Sequence, residues 1–347
     1  MLRMQFADMP NKGIKWIDTV RALCMMAVYW VHSEIYYGVS GVSYGYVVLP
    51  FYVNAFFFVS GYLFFRKYLD SPEAGPDSCR GVANVVFRLM LPTILFSSFI
   101  YIPKKLFHGD ALSFGQYLYD VFGGLSYWFT SALVVAQLLL LALVRFRRLG
   151  MWHYVVLSCA FFALGVWSFI ATENTFPWNY QAGLSATLFM SLGGVYFKHE
   201  GEVNKWLVPY GVMLAAGAYV LGVALTWRSQ SLAVMVPFQV DFWGLVVVFC
   251  SIISLVALAR VLPPLTWLRF VGRNSIVFYF FSGVMPAMWS TVLRLCFPEL
   301  QCYGGTLLVL VLSLALSAVL CMAINRYFPF LLDARKLSCL WKRLHAR

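Results

Sequence analysis

The sequence predicts an all-α fold: a polytopic membrane helical bundle of about ten transmembrane helices, with both termini cytoplasmic. Three observations predict it. Of the 347 residues, 61% are hydrophobic and only 12% charged, where soluble domains carry about 25% charged residues, and the mean hydropathy is +0.76. Apolar stretches near the span length of about 20 residues recur along the chain. The basic residues gather beside alternate ends of those stretches. Such a composition excludes a cytosolic enzyme, a secreted enzyme and a single-span receptor, and leaves one integral-membrane domain over 1–347.

Taken in order, the apolar stretches fall at 16–37, 46–65, 85–107, 126–144, 152–171, 180–197, 206–226, 237–259, 272–296 and 305–328. The first follows a short polar segment with Asp8, Asn11, Lys12 and Lys15 and no small-residue cleavage site, so it reads as a signal-anchor helix. Of the 26 Lys and Arg, only Lys104, Lys105, Arg228 and Arg294 fall on the outer side in this plan, and Arg21 falls within a helix. The positive-inside rule then sets the orientation. The formal charge of +12 is accounted for by topology and by attraction to anionic membrane lipid, so no nucleic-acid partner is expected. The longest cytoplasmic loop, 66–84, holds Pro72, Gly75, Pro76 and Gly81 and reads as irregular. The stretches 107–124 and 172–178 read as outer rim. A basic cytoplasmic tail over 329–347 carries Arg335, Lys336, Lys342, Arg343 and Arg347 around Leu337, Leu340 and Trp341, and reads either as a surface-lying amphipathic segment or as a solvated tail.

The eight cysteines show no metal spacing. Cys24, Cys159, Cys250 and Cys321 read as small buried hydrophobes. Cys296 and Cys302 share the outer side, where an oxidising compartment allows them to pair.

An ionisable residue inside a span is costly, so each one is a candidate for function. The first helix holds four: Asp18, Arg21, His32 and Glu34. Arg21 and His32 are eleven residues apart, close to three full turns, so both project from one face about 16 Å apart. Asp18 stands three residues before Arg21, near enough to pair with it. Two readings are open at this level. One is a snorkelling Arg–Asp pair with a His bonded to a neighbouring helix. The other makes His32 a proton or acyl acceptor, with Arg21 stabilising an anionic group nearer the cytoplasm. Ser60-Gly61, inside an aromatic run, permits close approach of a helix or a ligand backbone. Arg66, Lys67, Arg80 and Arg88 form a cytoplasmic basic cluster suited to phosphates or lipid headgroups. Asp241, between Gln239 and Trp243, is a further acid in the eighth stretch. Trp30, Tyr36, Tyr37, Trp128 and Trp178 lie toward the outer mouth, where they suit either sugar stacking or an interfacial aromatic belt.

The Arg21-to-His32 spacing, with ten residues between, resembles the Arg-x10-His signature in the first helix of the membrane acyltransferase 3 family. Asp18-x-x-Arg21, Phe57-Phe-Val-Ser-Gly-Tyr-Leu63, Arg88-Leu-Met-Leu-Pro92, Tyr127-Trp-Phe-Thr-Ser-Ala132 and Val271-Gly-Arg-Asn-Ser-Ile-Val-Phe-Tyr279 resemble further elements of that family, in its order. The resemblance implies a membrane enzyme that moves an acyl group, commonly acetyl, from a cytosolic acyl-CoA to a hydroxyl of a surface glycan or glycolipid. It implies a multi-pass protein of a bacterial inner membrane, with acetyl-CoA or another acyl-CoA as co-substrate and no bound cofactor or metal. His32 and Arg21 carry over as the catalytic pair, supported by Asp18. Arg88, Arg66 and Lys67 are implied on the donor side, and Ser60, Gly61, Trp128, Asn274 and Ser275 near the substrates. Two positions depart from the family's pattern. Ser282 stands where many members have His, and Val85 stands three positions before Arg88 where a second Arg is common. The competing class is a polytopic small-molecule or glycolipid transporter, disfavoured because the sequence has no internal symmetry and no matched pair of broken helices.

Overall fold

The computed structural model describes residues 14–38, 52–69, 78–108, 111–145, 150–172, 176–226, 242–263, 265–300 and 302–333. Among them there is no strand. The helices are α1 (Lys15–Tyr37), α2 (Tyr52–Leu69), α3 (Ser78–Val85), α4 (Leu91–His108), α5 (Phe114–Phe122), α6 (Trp128–Val144) and α7 (Met151–Thr172). They continue as α8 (Tyr180–Lys198), α9 (Glu200–Thr226), α10 (Phe242–Val261), α11 (Thr266–Arg273), α12 (Ser275–Phe281), α13 (Val284–Cys296) and α14 (Tyr303–Tyr327). Among the described residues each apolar stretch holds helix, but 85–107 is shared by α3, the turn Val86–Met90 and α4, and 272–296 by α11, α12 and α13. Five helical stretches are long and apolar enough to cross a membrane: Arg80–Leu106, α7, α9, α10 and α14. A sixth is the pair α12 and α13, bent by 44°. The helices of the other four stretches are too short or too polar by that measure, α1 because of its charges. With this many apolar helices the chain is a multi-pass integral membrane protein.

The burial pattern follows the same division. On α7, Trp152, Val156, Leu164, Trp167 and Ile170 are exposed, and on α9 so are Val208, Val212, Met213 and Val220. Exposed apolar faces of this extent are unstable in water and natural against acyl chains. Cys159, expected to be buried, lies exposed on α7. Cys24, Cys250 and Cys321 are buried as expected.

The helices pack in two compact units. In the first, which holds α1, the start of α2, α9 to α13 and most of α14, α1 is the enclosed element. It packs against α10, α11, α12 and α13, and Ala22, Cys24, Met25, Ala27 and Tyr29 have no accessible surface. The second unit holds the rest of α2, α3 to α8 and the end of α14, and its enclosed element is α8. Small residues on α8 let neighbours approach, as in membrane helix packing generally. Ser191 and Ser158 of α7 share a hydrogen bond of 2.7 Å. A Cβ on Gly61 would lie 2.0 Å from the Met190 carbonyl oxygen, so Ser60-Gly61 serves the close packing of α2 on α8.

Two local expectations are corrected and one open possibility is decided. The stretch 107–124 is not simply rim loop: it contains α5, capped where Ser113 Oγ accepts from the Gln116 N–H. The cytoplasmic connection after α2 becomes helical at Ser78, because Ser78 to Val85 can form two turns that pack on α6. Cys296 and Cys302, whose pairing the sequence leaves open, are free and exposed on either side of the turn Pro298–Leu300. Asp241, Gln239 and the tail residues from Arg335 to Arg347 lie outside the described residues.

Candidate functional site

α1 is one unbroken helix from Lys15 to Tyr37, so Arg21 and His32 keep the spacing of nearly three turns that places them on one side. His32 is half-buried, with Nδ1 shielded from solvent. Its ring stacks on Tyr36, one turn on, with centroids 6.1 Å apart and planes 12° from parallel. The turn beneath is fixed by Tyr29. The Tyr29 hydroxyl donates to the Phe278 carbonyl (2.9 Å) and lies 2.6 Å from Ser317 Oγ, which can donate to it. At the far end, Arg294 bonds the Tyr36 carbonyl and stands over the Tyr37 ring at 5.7 Å. The helix bearing His32 is therefore held on both sides of the imidazole.

The pairing of Asp18 differs from the sequence expectation. Its carboxylate accepts from Arg273 Nε at 3.0 Å, across 255 positions of sequence, rather than closing on Arg21 within its own helix. A planar guanidinium arriving from a facing helix can meet the carboxylate head-on, which a side chain one turn away on the same helix cannot do as well. The approach requires Gly272: a Cβ there would lie 1.8 Å from the Asp18 carbonyl oxygen. Arg21 and Arg269 also act electrostatically on Asp18. Arg21, half-buried, makes no ion pair among the described residues. Nearby, Arg260 pairs with Glu200 and stacks over Trp16 at 4.4 Å.

Arg88, in the second unit, lies on a wide π turn, Val86–Met90, leading into α4. Pro92 explains the turn. It has no N–H for the Arg88 carbonyl and its ring would strike that carbonyl, so the helix widens and Leu91 N–H bonds Val86 O instead. Arg88 Nε meets Asp333 Oδ2 at 3.3 Å, with Arg88 59% exposed. Lys67 bonds the Tyr68 hydroxyl at 3.3 Å, and the same hydroxyl is hydrogen-bonded to Asn84 and lies near Arg88. Lys67 and Arg88 are thus brought together around Tyr68. Arg66 and Arg80 are exposed, with no contact to that group among the described residues.

Other predicted site residues have visible structural employment. Asn274 ends α11, its amide donating to the Phe270 carbonyl at 2.8 Å, and its own carbonyl accepts from Val277 N, which starts α12 beyond Ser275. Ser282 is buried and bonds the Tyr279 carbonyl at 2.8 Å, at the bend between α12 and α13. Trp128 is half-buried against Phe129 at the start of α6. Trp178 and Asn179 take positive φ values of 58° and 47°. This costly corner is held by Trp178 N–H on the Gly123 carbonyl, and by Asn179 Nδ2 and Ser131 Oγ on the Gly124 carbonyl.

Sequence reasoning missed Arg269, Arg273, Asp333 and Tyr29 as site elements. Arg269 and Arg273 had a readable signal: four residues apart, they share one face of a strongly amphipathic short helix. Asp333 had none.

A family model described as an acyltransferase domain, of the acyltransferase 3 type, matches residues 14–326. No curated protein and no solved structure matches the chain. The matched span takes in α1 with Arg21 and His32, the wide turn with Arg88, and the α11–α12 junction. The chain belongs to the acyltransferase 3 family.

Proposed function

We propose that this protein is an O-acyltransferase that takes an acyl group, acetyl in the simplest case, from a cytosolic acyl-CoA to a hydroxyl of a surface glycan or glycolipid. The observation that carries the reading is the single rigid helix α1, which holds Arg21 and His32 on one side, about 16 Å apart. The pantetheine arm of coenzyme A has the length of about four to five extended residues, roughly 14–17 Å. A donor anchored at the level of Arg21 therefore reaches His32 with its thioester. Ten spans and cytoplasmic termini, in a bacterial inner membrane, put Arg21 toward the cytosol and His32 toward the outer side.

In this mechanism Arg21 orients the donor. His32 either takes the proton from the acceptor hydroxyl or carries the acyl group itself. In the direct route the hydroxyl oxygen bonds the thioester carbon as its proton passes to His32. The tetrahedral adduct then expels the CoA sulfur, which recovers that proton. In the relay, the imidazole displaces CoA and the acceptor displaces the imidazole. Stacking on Tyr36 favours one ring orientation in both. Trp128 and Trp178 are candidate sugar-stacking surfaces.

Washed membranes given labelled acetyl-CoA, and longer or succinyl thioesters in parallel, test the reading. Label should enter a glycan or lipid fraction and fall by about 10²–10⁴ in His32→Ala, the usual worth of a positioned acid–base group. Equal labelling by parent and variant would remove His32 from the chemistry. Absence of labelling with every thioester would favour a carrier.

A further inference from the structure

Among the described residues, the only non-glycine positions with positive φ are Trp178 and Asn179, at 58° and 47° in the turn before α8. Such conformations persist where the surroundings over-determine them, and here they do. Phe176 is extended, as the residue before a proline tends to be, and Pro177 opens the turn. Trp178 N–H donates to the Gly123 carbonyl, while the Gly124 carbonyl accepts from Asn179 Nδ2 at 3.2 Å and from Ser131 Oγ at 2.6 Å. The facing turn is itself fixed by the Asp120 carbonyl, which accepts from the N–H groups of Leu125 and Ser126. All of these residues belong to the second compact unit.

The constraint acts on the indole. Gly124, at φ 67°, lies against it: a Cβ there would be 3.0 Å from Cδ2 and 3.2 Å from Cε3 of Trp178. Cδ2 is an atom of the ring fusion, so the glycine meets a face of the indole rather than its rim. Only a residue without a side chain permits that approach. Trp178 is half-buried, so one face rests on Gly124 and part of the ring stays open. Its indole N–H is accessible and donates to no group among the described residues. A tryptophan of an interfacial belt needs only the right depth, which an unstrained backbone supplies. A ring held at one angle at a cost in backbone strain suits a ligand that must meet it in one orientation. A flat apolar face beside an open N–H donor matches a sugar ring, whose C–H groups pack on the aromatic face while an oxygen accepts the hydrogen bond.

We infer that Trp178 is a recognition residue for a sugar ring of the acyl acceptor, with Gly124, Ser131 and Asn179 as the positioning residues that fix its angle. The inference rests on the reading of the chain as an acyltransferase acting on a glycan. It singles out, from the aromatic residues assigned to the outer mouth, the one that reads the acceptor.

Washed membranes carrying their own glycan, given the labelled thioester that the parent uses, test it at matched amounts of protein. Trp178→Gly removes the ring and puts at φ 58° a residue that adopts it without strain, so the variant should fold with a melting midpoint close to the parent's. Its transfer into the glycan fraction should fall roughly fivefold to tenfold, the worth of one aromatic ring contact, with the KM for the thioester unchanged. Trp178→Tyr, which keeps a ring face and a polar edge, should recover most of the transfer. Equal transfer by the parent and Trp178→Gly would overturn the inference. So would a Trp178→Tyr no better than Trp178→Gly, a raised KM for the thioester, or a loss that merely follows a lowered melting midpoint. The last is the result that a packing or anchoring role would give. In each of those cases the parent still transfers label and the acyltransferase reading stands. No transfer by the parent with any thioester would instead remove that reading, and this inference with it.

Discussion

Gly272→Ala should uncouple α1 from α11. The added Cβ would lie 1.8 Å from the Asp18 carbonyl oxygen, where ordinary contact begins near 3.4 Å. The helices must therefore part by roughly 1.6 Å. If the displacement falls along the Asp18–Arg273 bond, its 3.0 Å length grows to about 4.6 Å, beyond hydrogen-bond range. Overpacking costs about 1–3 kcal/mol, and a lost hydrogen bond between charged groups about 1.5–3 kcal/mol, so a destabilisation of about 2.5–6 kcal/mol is expected. The control is Gly217→Ala in α9, where an added Cβ meets nothing within 4 Å and helix propensity alone favours alanine by about 1 kcal/mol. Unfolding midpoints of parent and both variants, measured by tryptophan fluorescence in one detergent, give the comparison. Gly272→Ala should melt well below the parent and Gly217→Ala at or above it. If Gly272→Ala melted with the parent, α1 and α11 would not be in backbone contact, and the placement of Arg273 against Asp18 would fall with it.

Three further outcomes are expected. Arg273→Ala strands a buried carboxylate and should cost about 3–5 kcal/mol, whereas Arg88→Ala removes a largely exposed pair worth at most about 1 kcal/mol; denaturation of the two purified variants under one condition should separate them clearly. A membrane-impermeant maleimide added outside intact cells should label Cys296 and Cys302, which are free and exposed, but not Cys24 or Cys321, which are buried; protection of both exposed thiols would reverse the orientation. Gly61→Val should displace α2 from the Met190 backbone and lower the melting midpoint, while Gly201→Ala, with open space at its Cβ, should not; equal midpoints for both would refute the close packing of α2 on α8.

The ten helical segments were legible because hydrophobicity sums along the chain, and local sums need no knowledge of neighbours. The same holds for the Arg21–His32 spacing, which a single regular helix fixes by itself. Pro92 was legible as a feature of the third stretch, though the wide turn it imposes on Arg88 was not. What failed depended on partners distant in sequence. Asp18 had Arg21 three residues away, and nothing local announced that Arg273 would take the carboxylate. Arg88 gave no sign of Asp333. The α5 segment was read as rim because a helix of nine residues is far too short to span a membrane and gives no run of span length. For Cys296 and Cys302 the sequence left pairing open, because proximity does not set the direction of two thiols, and they are free.

The distance along the chain between Asp18 and Arg273 has a consequence for biogenesis. A chain grows at about 5–20 residues per second, so α1 is complete about 13–51 s before residue 273, 255 positions later, is made. During that interval the acid in α1 has only cations close in sequence, such as Lys15 and Arg21, each three residues away. The guanidinium that finally meets Asp18 thus becomes available only when α11 is made. The first helix must therefore tolerate its buried acid without its final partner until the chain is nearly complete.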